Sequence, residues 1–308
     1  MTCTTSNKQY SEERNQFCTW LARIAKERDI KNKEKWELGE KTQVKLDIFT
    51  IPDHIKCMFG EFLKTPLYTE LATLIWHTYT VSCLTILKNK LYSGSWDKTI
   101  RIWNTETYEL VATLKGHTYW VKCITLHEKK LYSGSDDRTI RIWNTETYEE
   151  ITTLMGHTNN VSCLIIHDNK LYSGSCDKTI RIWNTETHEE IAILRGHTWG
   201  VTCLTILKNK LYSASNDKTI RIWNTETYEE IATLKNTHPV ICIALHENKM
   251  YSGGVGKTIR VWAKGTHTKT YAEIATLGGN IGYMNCLTLR ENRLYSGGAD
   301  NTIRIWKI

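Results

Sequence analysis

The sequence predicts an all-β fold, a β-propeller of six four-stranded blades, and three observations predict it. First, the chain copies itself. Residues 90–109, 130–149, 170–189 and 210–229 read KLYSGSWDKTIRIWNTETYE, KLYSGSDDRTIRIWNTETYE, KLYSGSCDKTIRIWNTETHE and KLYSASNDKTIRIWNTETYE. Second, one tryptophan recurs as Trp103, Trp143, Trp183, Trp223, Trp262 and Trp306, at spacings of 40, 40, 40, 39 and 44 residues. Third, each copy holds four short apolar segments separated by turn residues. In the second copy these fall at about 111–115, 121–127, 130–135 and 139–143. TIRIW is β-branched and bulky, as strands prefer, and such segments are too short for helices of a compact core. A four-stranded unit at this period fits radial repetition, because one blade cannot bury both faces alone.

The repeat region spans 69–308 and residues 1–68 form an N-terminal extension. Within the extension Ser11 caps a helix expected over about 11–28, with Glu12 and Glu13 in its first turn,. Phe17, Trp20, Leu21 and Ile24 share one face of it. The repeat region opens with a lone fourth strand at 71–74 and ends on a third strand at Ile308. These ends are expected to meet and complete the last blade, leaving no free edge. A seventh, degenerate blade is the alternative. A step of 40 residues back from Thr69 reaches Asp29, and 44–48 and 58–63 could be its strands. Against it, 31–35 read KNKEK where a closing strand should stand.

Composition narrows the function classes. The chain has 12 Trp and 15 Tyr against 4 Phe, so something places Trp repeatedly. No run approaches the ~18 apolar residues of a membrane helix. The polar start MTCTTSNKQYSEERNQ has no secretory signal, so a cytoplasmic or nuclear chain with reduced cysteines is expected,. No CxxC pair is present among the 10 cysteines, so no metal is expected,. Cys83, Cys123, Cys163, Cys203, Cys242 and Cys286 are one repeated position and read as core packing,. Net charge is +7, and it is dispersed; residues 1–70 hold 12 basic and 11 acidic side chains, leaving 28 against 22 in the propeller. Nucleic acid is therefore not the expected partner. The repeated Arg101, Arg141, Arg181, Arg221, Arg260 and Arg304 read as packing between blades.

With Gly116-His117 opening a copy and Ile142-Trp143 closing it, the region 69–308 resembles the WD-repeat propeller family. The usual Trp-Asp ending is Trp-Asn here, as in Trp103-Asn104. The resemblance implies a buried hydrogen-bonded tetrad of His, Ser, Asp and Trp in each blade. Carried over, the tetrads are His77, Ser93, Asp97 and Trp103; His117, Ser133, Asp137 and Trp143; His157, Ser173, Asp177 and Trp183; and His197, Ser213, Asp217 and Trp223. Either Ser133 or Ser135 could supply the hydroxyl of the second. Indole donates only, hydroxyl and imidazole do both, and carboxylate accepts, so such a chain satisfies every member. A hydrolase triad would be needed once, whereas this set recurs, and no nucleophile elbow, phosphate loop or metalloprotease helix is present. No catalytic residue and no cofactor is assigned, and the chain reads as a non-enzyme.

Copies depart from the pattern in three places. Trp76 replaces Gly before His77; Gly256 replaces the fifth Asp; and Asn280 replaces the sixth His while Asp300 and Trp306 remain. The fifth blade is expected to be the loosest. Residues 51–66, from Ile51-Pro52-Asp53 to Pro66, resemble the start of a U-box ubiquitin-ligase domain. That resemblance implies the alternative function, a substrate-recruiting component of a ubiquitin-ligase pathway. The family's ligase-adaptor arginine is replaced by Glu106, Glu146, Glu186 and Glu226.

Scaffold positions are almost frozen across the first four copies, but others vary. After His-Thr stand Tyr79-Thr80, Tyr119-Trp120, Asn159-Asn160 and Trp199-Gly200. Before the tetrad Asp stand Trp96, Asp136, Cys176 and Asn216. In a four-stranded meander these two turns lie on one rim. Drift of tolerant turns is the competing account, yet drift should not favour exposed aromatics, which cost solubility. The expectation is a monomeric, non-enzymatic scaffold that recognises a protein or peptide on this rim, where Trp and Tyr suit hot spots.

Overall fold

The computed structural model describes residues 72–264, 271–279 and 282–308. The chain divides into two compact units, Met1–Glu70 and Leu71–Ile308, and all described residues lie in the second. The expected helix at 11–28, the U-box-like segment 51–66, the degenerate seventh blade at 29–68 and Asn280 lie outside them.

Twenty-three strands form six antiparallel sheets, and no helix occurs among the described residues. The first sheet is β1 (Val81–Leu87), β2 (Lys90–Ser95), β3 (Thr99–Asn104) and β4 (Leu110–Lys115). The second is β5 (Val121–His127), β6 (Lys130–Ser135), β7 (Ile140–Asn144) and β8 (Glu150–Leu154). The third is β9 (Val161–His167), β10 (Lys170–Ser175), β11 (Thr179–Asn184) and β12 (Glu190–Arg195). The fourth is β13 (Val201–Leu207), β14 (Lys210–Ser215), β15 (Thr219–Asn224) and β16 (Glu230–Lys235). The fifth is β17 (Val240–His246), β18 (Lys249–Gly254), β19 (Ile259–Lys264) and β20 (Tyr271–Leu277). The sixth is β21 (Met284–Arg290), β22 (Arg293–Gly298) and β23 (Ile303–Lys307). Each sheet is a meander in chain order. The six sheets are the six predicted blades, and the strands of the second copy start and end within a residue of their expected bounds.

Two register shifts recur. One lies near the start of each first strand, as between Val121 and Cys123, and one before the tryptophan, as between Ile142 and Trp143. Both follow from bulges, which raise local twist. The core lies between blades. Tyr92, Ile100, Ile102 and Leu114 of the first sheet pack with Val121, Leu131 and Trp143 of the second. The same set recurs between the second and third sheets. Each such buried side chain contributes about 1.5–3 kcal/mol, and none could do so in a lone blade.

Three expectations change. Residues 72–74 carry no strand, and the sixth sheet has three strands among the described residues, so 71–74 is not seen to close the last blade. Every other fourth strand follows its third through a short turn, whereas this pairing would join the two ends of the repeat region and carries the entropy of a very long loop. Ile303 and Ile305 on β23 are accordingly 77% and 61% exposed. On β1, Val81 is 44% exposed, while its copies Val121, Val161 and Val201 are fully buried.

The repeated arginines, second, pair within a blade instead of packing between blades. Arg141, Arg181 and Arg221 each donate from Nη1 to Glu150, Glu190 or Glu230 on the neighbouring fourth strand. Leu110 stands at that position in the first blade, which leaves Arg101 without such a carboxylate. Third, the fifth blade is well packed. Met250 and Ile259 are fully buried and Trp262 still donates to Ser252 Oγ at 2.8 Å. Its outer strand β20 is nonetheless mostly exposed, as are β21 and β23 of the sixth sheet.

Candidate functional site

The tetrads are present in the first four blades and they shape one rim. In the second blade Trp143 Nε1 donates to Ser133 Oγ at 2.9 Å, and Ser133 Oγ lies 2.8 Å from His117 Nε2. His117 Nδ1 lies 2.7 Å from Asp137 Oδ2. A carboxylate only accepts, so Nδ1 carries the proton, and Nε2 takes one from the serine. The hydroxyl is thus Ser133. Ser135 instead donates to the carbonyl of Tyr119 and accepts from the Asp137 N–H, which fixes the adjoining turn. Equivalent chains join His77, Ser93, Asp97 and Trp103, then His157, Ser173, Asp177 and Trp183, then His197, Ser213, Asp217 and Trp223.

Each tetrad Asp also ties two turns together. Asp137 Oδ2 accepts the N–H of Thr118, and its Oδ1 accepts the N–H and hydroxyl of Thr139. The turn into the first strand and the turn between second and third strands are therefore held side by side. Burial raises the Asp97 carboxyl, but hydrogen bonds from Thr99 and His77 outweigh it and leave it at about 2. Asp137, Asp177 and Asp217 are lowered in the same way. Burial lowers His197, against the opposing pull of Asp217, and favours the neutral imidazole the chain requires.

The variable residues meet on that rim and form one strip. Within each blade the two turns bond: Trp96 N–H to Thr80 O, Asp136 to Trp120, Cys176 to Asn160 and Asn216 to Gly200. Between blades the strip continues. Trp96 stacks on Trp120 at 4.3 Å between centroids and 7° between planes. Asp136 and Asn160 line one depression together. Cys176 abuts Gly200, where an added Cβ would stand 3.1 Å from its Cα. Tyr79, Tyr119 and Trp199 are 68%, 59% and 62% exposed. Asn159 is also exposed on this rim.

An open depression of about 580 Å³ lies on the strip, lined by Thr118, Tyr119, Trp120, Asp136, Asp137, Arg138 and Asn160. Two polar atoms at this place are buried without a partner, Asp136 Oδ1 and Trp96 Nε1. Burial raises the Asp136 carboxyl, with Lys122 opposing. Sequence reading missed Lys122, whose Nζ sits 5.4 Å from the Trp96 ring and 5.9 Å from the Trp120 ring. Its signal was present: Ser82, Ser162 and Thr202 occupy the copies of that position. No cluster of three or more metal-ligating side chains occurs among the described residues. Likewise no helix there is long and apolar enough to cross a membrane. Burial pushes the Cys83 thiol up to about 11 and raises Cys123, Cys163, Cys203 and Cys242, as packing cysteines require.

The opposite rim is built differently. Asn104 Oδ1 accepts the N–H groups of Glu106 and Thr107, and Asn144, Asn184 and Asn224 do the same in their blades. An amide oxygen serves this Asx turn as a carboxylate would, which accounts for Trp-Asn in place of Trp-Asp.

The comparisons agree with this architecture. The model described as WD domain, G-beta repeat matches residues 68–104, 108–144, 148–184, 188–224 and 272–307, more than half of the chain. No match falls on β17 to β19, where Gly256 has replaced the tetrad Asp. No curated protein matches the chain. The crystal structure of the computationally designed Ika8 protein is similar, with a TM-score of 0.69 and 28% identity over 77% of this chain and 74% of that one. The chain belongs to the WD domain, G-beta repeat family.

Proposed function

We propose that the chain is a non-enzymatic protein-interaction module that takes a protein or peptide on the strip running through Tyr79, Thr80, Trp96, Tyr119, Trp120, Asp136, Asn159, Asn160, Cys176, Trp199 and Asn216. One observation carries the reading. The side chains that differ from copy to copy are contiguous, and exposed aromatics stand among them. Folding does not need them there, because the tetrads and the cores between blades are complete without them. Aromatic residues supply large contact area at low entropic cost, and interface hot spots favour them.

Replacing Trp96, Trp120 and Trp199 together by Ala tests this. The variant is expected to keep the wild-type circular dichroism and to lose the partners recovered by affinity purification of wild type. Full retention of those partners would overturn the reading.

A further inference from the structure

One cationic position recurs on the strip's rim. The strip's rim carries one basic residue in the turn between second and third strands of each of the first five sheets: Lys98, Arg138, Lys178, Lys218 and Lys257. All five are exposed and left-handed, with φ of 70°, 71°, 73°, 68° and 60°. Lys115, Arg195 and Lys235 end fourth strands on the same rim and are exposed too. The opposite rim carries exposed Glu106 and its copies Glu146, Glu186 and Glu226.

Backbone conformation does not account for the recurrence. The turns between first and second strands, on the opposite rim, are also left-handed, yet they hold Lys88, Glu128, Asp168, Lys208, Glu247 and Glu291. One conformation thus accepts either sign on one rim, while five of six sheets carry a cation on the other. Nor are these cations spent within the fold. The groups that chiefly pull the tetrad carboxyls down are Thr, His and backbone N–H groups. Lys98 lies over the Tyr119 ring at 5.5 Å, but among the described residues none of the five turn cations pairs with a carboxylate. The ionised tetrad Asp beside each of the first four is taken up by His, Thr and backbone donors, as Asp137 is, and leaves the exposed cation open to a partner.

Resting on the reading above, we propose that the partner's binding segment is an acidic peptide, with spaced carboxylates laid along the ring of turn cations beside the Trp96–Trp120 stack. A peptide fits better than a nucleic acid strand. Trp96 and Trp120 cover one another and Lys122 stands over both, so their rings are not free to sandwich bases.

Fluorescence anisotropy on the full chain tests this with three labelled probes: a peptide alternating Glu and Gly, one alternating Lys and Gly, and oligo-dT. The Glu peptide is expected to bind, the Lys peptide not, with affinity falling several-fold between about 50 and 200 mM salt. The variant with Lys98, Arg138, Lys178, Lys218 and Lys257 all changed to Asn keeps the turns, since Asn301 holds the same left-handed place in the sixth sheet. It should bind the Glu peptide at least ~10-fold more weakly. If it fails to fold, Lys178→Asn with Lys218→Asn should give a partial loss. No binding of the Glu peptide, or binding that survives these changes, overturns the acidic partner. So does oligo-dT binding more tightly than the Glu peptide. In those cases loss of natural partners by the three-Trp variant would still uphold the recognition strip.

Discussion

In each of the first four blades one serine hydroxyl sits between an indole and an imidazole, and the direction of every hydrogen bond follows from it. Ser173 accepts from Trp183 and lies 2.8 Å from His157 Nε2, fully buried. Ser173→Ala strands a buried indole N–H and an imidazole nitrogen together. Chemical denaturation should show a loss of about 1–3 kcal/mol, with partner binding retained. The same chain makes stability depend on acid. Asp97 at about 2, with Asp137, Asp177 and Asp217 also lowered, stabilises the fold above the ordinary carboxylate pKa of about 3.9,. That contribution is lost as pH falls through the lowered values, because the unfolded chain binds the protons first. His197 acts in the same direction at higher pH: its lowered pKa favours the fold above about 6.5 and less so below,. Thermal melting against pH should therefore be level near neutrality, sag slightly below about 6.5 and fall steeply between about 4 and 2. A melting temperature that rose on acidification would contradict the tetrad assignment.

At the scale of the element, each of the second, third and fourth blades is a meander whose inner three strands are locked by the tetrad and whose fourth is held by an ion pair. Arg181–Glu190 and Arg221–Glu230 tie third strand to fourth, and these pairs are half-buried. The sixth blade has neither a described fourth strand nor a buried outer face. Ile303 and Ile305 are exposed, and Arg304 pairs back onto Asp300 of its own turn. Protection against hydrogen exchange scales with burial and pairing. Amides of β20, β21 and β23 should exchange fastest, those of β17 to β19 at an intermediate rate, and those of β10 and β11 slowest. Equal protection of β23 and β11 would show that the sixth blade's outer edge is covered in solution. The fifth blade illustrates why a missing tetrad is tolerable: its apolar core against the fourth sheet, with Met250 and Trp262, is intact.

For the propeller as a whole, the two rims are built differently, and their difference was only partly legible in the sequence. The recurrence of KLYSGS and TIRIWN was enough to place the strands, because a repeated unit must repeat its hydrogen bonds and its buried face. Comparing copies was enough to separate scaffold from variable turns, and meander topology put those turns on one rim. Sequence could not choose Ser133 over Ser135, since two residues apart on a strand they share a face and only the third dimension shows which meets His117. It assigned the arginines to contacts between blades because their partner, Glu150 or its copies, lies across a strand pair and not along the chain. It expected 71–74 to close the ring, which local pattern cannot decide when the ends to be joined are so far apart. The Trp96–Trp120 stack and the orphaned Asp136 oxygen arise where neighbouring blades meet. Local periodicity thus determined the strands and the repeated unit. Only the tertiary structure decided which side chains from different blades meet, because contacts such as Trp96 on Trp120 join separate sheets, beyond the reach of strand periodicity.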